Sequence, residues 1–154
     1  MGNAKHRLEG KIVVVEDDPT FLSFWGRMLQ DLGLKDFELF SDAAEAGLLL
    51  EEVPVGLLIS DVVMPSRNGY ELARIASRRN PGCNIILTTA YATDLSRFEL
   101  AGCRFQLLHK PYTDLAALRR FIMHIIDGDV EFDDISEDSS SENEDYPGVT
   151  EWRL

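Results

Sequence analysis

Cysteine and histidine are scarce in this chain, and neither residue type is placed to hold a metal. Cys83 and Cys103 form no C-x-x-C pair, and His6, His109 and His124 do not repeat at ligand spacing. The usual zinc sites are thereby excluded, and the two thiols read as reduced and mostly buried. No run approaches the roughly 20 apolar residues of a membrane span. The opening MGNAKHRLEGK has no apolar stretch for a signal peptide, so a cytoplasmic protein without membrane attachment is expected. Positive charge is also short: 15 Lys and Arg stand against 27 Asp and Glu, for a net charge of −12. The deficit is concentrated between positions 127 and 145, where every charged residue is acidic. Residues 1–126 are near neutrality, and without a basic face to neutralise phosphates nucleic-acid binding is not expected.

With 154 residues and 45% apolar composition, the chain suits one domain with a packed core. Short apolar runs alternate with segments of helical period. Strands are predicted at 11–15 (KIVVV), 37–40 (FELF), 55–60 (VGLLIS), 84–88 (NIILT) and 105–108 (FQLL). Between and after them fall helices at 21–34, 42–51, 69–79, about 94–101 and 114–126. Gly33 is placed to stop the first helix, while Ser41 and Thr113 are placed to cap the second and the last. Strict alternation with uniformly apolar strands implies an α/β, doubly wound, flavodoxin-like sheet of five parallel strands in the order 2-1-3-4-5. The expected organisation is an N-terminal extension (1–10), the domain (11–126) and an acidic, Ser-rich, flexible tail (127–154). Val130, Phe132, Ile135, Tyr146 and Trp152 give that tail a means of docking on the body or on a partner.

Open sheets of this kind gather their functional groups at the carboxyl ends of the strands. Glu16 and Asp17 follow the first strand, Asp61 the third, Thr88 and Thr89 the fourth, and Lys110 the fifth. Asp18, directly before Pro19, reads as a helix cap. In the order 2-1-3-4-5 the first and third strands are neighbours, which crowds Glu16, Asp17 and Asp61 together. Two such charges roughly 4 Å apart repel by about 4 kcal/mol at an effective dielectric near 20. A bound cation relieves the repulsion, and an oxygen-only ligand set suits Mg²⁺. These parts fit phosphoryl transfer to a carboxylate: Asp61 as nucleophile, Lys110 neutralising phosphoryl oxygens, and Thr89 as hydrogen-bond donor.

The segments VVVEDDP (13–19), LLISDVVMPSRNGYEL (57–72), IILTTAY (85–91) and HKPYT (109–113) closely resemble the receiver domain of bacterial two-component response regulators. The resemblance spans about 11–126, and D-x-x-M-P followed by Gly69 is its most specific part. It implies that Asp61 is the phosphoacceptor, that Glu16 and Asp17 are the acidic pair, and that Val63 offers its backbone carbonyl to Mg²⁺. Thr89 would be the switch hydroxyl, Lys110 the phosphate-sensing lysine, and Pro111 a cis-bonded proline. It also implies a sensor histidine kinase or phosphotransfer protein as donor, an unidentified protein target, and a monomer or weak dimer. The chain would then be no enzyme, but a phosphoacceptor that assists its own phosphorylation and dephosphorylation. Two positions depart from the pattern or add to it. Leu107 stands three residues before the lysine, where the family usually has Tyr or Phe, and Tyr91 follows Thr89 closely enough to shield an acyl phosphate.

Three other readings compete. An aspartyl-phosphate phosphatase resembles D-x-D at its nucleophile, but Val63 occupies the position of its proton donor. A dinucleotide-binding domain needs G-x-G-x-x-G after the first strand, where this chain has EDDPTF. A degenerate receiver acting as a phosphorylation-independent docking module is the remaining alternative, and the intact acidic set weighs against it. No DNA-binding or catalytic segment is expected after residue 126, so output by protein contact is expected, through a face at about 94–126 carrying Arg97, Arg104, Arg119 and Arg120.

Overall fold

The computed structural model describes residues 8–90, 104–128, 141–142 and 149–153. Its five parallel strands are β1 (Lys11–Val15), β2 (Phe37–Phe40), β3 (Val55–Asp61), β4 (Asn84–Thr89) and β5 (Arg104–His109). They are hydrogen-bonded in the order β2-β1-β3-β4-β5, as expected. Helices α1 (Pro19–Asp31), α2 (Ala43–Glu52), α3 (Gly69–Arg79) and α4 (Leu115–Asp127) complete the described fold. The helix expected at 94–101, together with Tyr91, Arg97 and Cys103, lies outside the described residues.

Alternate residues of each strand feed two apolar layers, as a twofold strand period requires. Val13, Val15, Leu58, Ile85, Leu87, Phe105 and Leu107 face the α2 and α3 side with Leu50, Leu72 and Ala76. Ile12, Val14, Leu57, Ile59, Ile86 and Leu108 face the other side, against Trp25 and Leu29 of α1 and Phe121 and Ile122 of α4. Both faces are therefore covered, which is why the strands read as continuous apolar runs.

Helix boundaries differ from expectation in a consistent way. Asp18 caps α1, its carboxylate accepting from the Thr20 N–H at 2.8 Å. At the starts of α2 and α4 the cap lies one residue further along than expected. Asp42 rather than Ser41 caps α2, and Asp114 rather than Thr113 caps α4. Either neighbour can serve as a cap, but a carboxylate also complements the helix dipole. Gly33 (φ +77°) and Gly128 (φ +73°) end α1 and α4 in left-handed backbone.

The sheet has two further strands that the sequence pattern did not assign. Val149–Arg153 (β6) pairs antiparallel with β5, and Ser141–Glu142 (β7) pairs antiparallel with β6 on its far side. The acidic composition of the tail as a whole masked a five-residue segment, VTEWR, that holds three β-forming residues, Val149, Thr150 and Trp152.

Gly69 shows how tightly the β3–α3 connection is drawn. Its N–H donates to the Val62 carbonyl at 2.9 Å, and a Cβ on it would be driven into the Asp61 carbonyl oxygen. That oxygen also accepts from Ser60 Oγ at 3.0 Å. Gly69→Ala is expected to lower stability by roughly 1–3 kcal/mol, as overpacking against backbone does. A urea midpoint equal to that of the wild type would contradict this close approach.

Candidate functional site

Strand register brings the site together. Val15 pairs with Ser60 across β1 and β3, so the next residues in line, Glu16 and Asp61, emerge side by side. Asp61 is paired with Thr88 of β4, and Thr89 with His109 of β5. The Lys110 N–H then donates to the Thr89 carbonyl at 2.8 Å, which turns the chain back across the strand ends. The Lys110–Pro111 peptide is cis, in agreement with the family pattern.

Lys110 lies between two carboxylates. Its Nζ is 2.7 Å from Glu16 Oε2 and 3.4 Å from Asp61 Oδ2, and the lysine side chain is only 7% exposed. The ammonium also lies 4.2 Å from the centroid of the Phe21 ring, a cation–π contact in a dry setting. Glu16 is buried, and its other oxygen accepts from the Asp18 N–H at 3.2 Å. Glu16, Asp17 and Asp61 each offer a carboxylate oxygen, all within 4.8 Å of one another. Asp17 is exposed and Asp61 half-buried, so the cluster opens to solvent on one side. An oxygen-only set with an open side fits a hard divalent cation better than a transition metal.

The remaining predicted residues are placed as follows. Thr89 is buried at the end of β4. Val63 follows Asp61 by two residues, with its side chain exposed. Leu107 is buried in the α2–α3 layer with Leu87, while Phe105 packs edge-on against Tyr70 at 6.1 Å between ring centroids. Arg119 pairs with Asp31 of α1 at 3.3 Å, and Arg120 is exposed.

An aromatic support behind the lysine was not legible as such. Phe21, Phe24 and Trp25 of α1 pack around Tyr112, with ring centroids 5.1 to 5.6 Å away. The Trp25 Nε1–H donates to the Tyr112 hydroxyl at 3.3 Å. Burial raises the Tyr112 pKa, which keeps its phenol neutral. Phe21 reads in sequence only as the start of an amphipathic stripe, and nothing local marks its ring as a platform for Lys110.

Burial is the largest influence on Glu16, raising its pKa to about 7. The nearby Asp61 charge adds to the rise, while the Lys110 hydrogen bond and charge oppose it. A carboxyl group with a folded pKa above its ordinary 4.5 binds more protons folded than unfolded. Its contribution to stability is therefore present below pH 4.5 and is lost as pH rises through about 7. Denaturant midpoints are expected to fall across that window, by on the order of 1–3 kcal/mol of stability. Glu16→Gln should flatten the profile; an unchanged pH dependence in this variant would contradict the assignment.

The model of the response regulator receiver domain matches residues 12–122. The response regulator receiver protein CpdR of Brucella abortus is 35% identical over 82 residues, covering 53% of this chain and 68% of CpdR. The sensor kinase CckA of the same organism is 32% identical over 105 residues, which are 66% of this chain but 11% of the kinase. A CheY-like receiver domain protein from Methanospirillum hungatei matches with a TM-score of 0.65 at 26% identity, over 77% of this chain and 95% of that one. The receiver domain of the sensor histidine kinase PA1611 from Pseudomonas aeruginosa, with a magnesium ion coordinated in its active site cleft, matches with a TM-score of 0.63 at 26% identity, over 76% and 97%. Strand order, the acidic cluster and these likenesses agree, and the chain belongs to the receiver domain family of two-component response regulators.

Proposed function

We propose that this receiver accepts a phosphoryl group on Asp61, with Mg²⁺, from a sensor histidine kinase or phosphotransfer protein. The observation that carries the reading is the Lys110 ammonium 3.4 Å from Asp61 Oδ2, beside three carboxylates that converge within 4.8 Å. In the reaction an Asp61 oxygen attacks phosphorus in line, and the bond from phosphorus to the donor imidazole nitrogen breaks. With its other ring nitrogen protonated, the donor imidazole leaves as a neutral base. Asp61 needs no general base, because a carboxylate oxygen attacks with its own lone pair. Lys110 holds positive charge where the phosphoryl oxygens arrive, and Thr89 supplies a hydroxyl to one of them after transfer. Glu16, Asp17 and Asp61, with the Val63 carbonyl, would hold Mg²⁺, whose chemistry is to neutralise phosphoryl charge. The magnesium reported in the PA1611 receiver supports this assignment.

Because the chain's part is to carry the phosphoryl group and to help its own gain and loss of it, it is a signalling component and not a turnover enzyme. Its setting would be the cytoplasm, and no helix among the described residues is long and apolar enough to cross a membrane. Its output would be made by contact with a target protein.

Incubation with acetyl phosphate and Mg²⁺ should give a retarded band on a Phos-tag gel, absent in Asp61→Asn and after EDTA. Lys110→Ala should slow its appearance by roughly 10-fold or more, as loss of one charge-stabilising group does. No retarded band in the wild type, or one that persists in Asp61→Asn, would favour a docking module that works without phosphorylation.

A further inference from the structure

The parallel part of the sheet ends at β5, whose outer row of N–H and C=O groups would otherwise be open. Such an edge is a template for any incoming extended segment. Here the chain supplies its own. β6 is in register with β5 over five pairs, from Arg104 with Arg153 to Leu108 with Val149. β7 closes the other side of β6 through Ser141 with Glu151 and Glu142 with Thr150. Because β6 belongs to the same chain as β5, their pairing is intramolecular and does not weaken on dilution.

We propose that Val149–Arg153 is an autoinhibitory edge cap: it occupies the strand-addition site of β5 and must leave before an extended segment of a partner can pair there. The partner segment is defined by the resident one. It runs antiparallel to β5 and combines β-branched or aromatic residues with polar ones, as VTEWR does. Because β6 pairs within its own chain, a free peptide of similar intrinsic strength competes poorly until the cap is released. β5 is also the strand that leads into Lys110, so the guarded edge borders the carboxylate site. The inference stands on backbone pairing and does not depend on transfer to Asp61.

Hydrogen exchange of the full-length chain tests the cap directly. In the wild type the amides of 149–153, and those of β5 directed at β6, are expected to exchange slowly. In the full-length Thr150→Pro/Trp152→Pro variant, proline removes N–H groups from β6, and the same β5 amides should exchange at least about 10-fold faster. A fluorescein-labelled peptide of residues 147–154 should then bind this variant at least about 10-fold tighter than it binds the wild type. Protection retained at 12–15 and 57–60 shows that the variant is folded; if it is lost, wild-type exchange at 149–153 decides alone. Rapid exchange of 149–153 in the wild type overturns the proposal. So does unchanged β5 exchange in the folded variant, or a peptide that binds both proteins equally or neither.

Discussion

One ammonium group between two carboxylates organises this molecule. Bringing Glu16, Asp17 and Asp61 within 4.8 Å of one another creates a repulsion that the apolar layers around them do not absorb. Lys110 offsets part of it at 2.7 and 3.4 Å, which requires β5 to lie beside β4 and the chain to turn sharply after His109. Sheet order, the Lys110–Thr89 backbone hydrogen bond and the aromatic packing of Phe21 on Tyr112 all serve that placement. Three carboxylates against one lysine still leave an excess of negative charge. That excess suits the open side of the site to a divalent cation.

Much of this was legible in the sequence because the signals were periodic or chemically distinctive. The strand KIVVV and the inward α3 residues Leu72 and Ala76 follow from apolar patterning alone. Asp61 and Lys110 were legible as a pair because each stands at the carboxyl end of an apolar strand and the two strands flank β4. Capping was less so, since Ser41 and Asp42, or Thr113 and Asp114, are competent side by side and the tertiary fit chooses. Phe21 beside Lys110 could not be read, because contact between residues 89 positions apart depends on how α1 lies across the sheet. β6 was hidden for a different reason. Its pairing is worth little without an unfilled edge to add to, and its local pattern is short within an acidic tail.

Leu107 illustrates the limit of carrying a family pattern across. The residue is buried in the layer formed with Leu87, and the nearest aromatic on that strand, Phe105, packs on Tyr70 rather than toward the strand ends. A change at Asp61 in this protein therefore has no ring at position 107 to move.

Anomalous diffraction from crystals equilibrated with Mn²⁺ in place of Mg²⁺ tests the charge balance at the heart of this account. A single strong peak is predicted, coordinated by Asp61 and Asp17 with Glu16 adjacent. No peak at millimolar Mn²⁺, or one remote from Asp61, would contradict it.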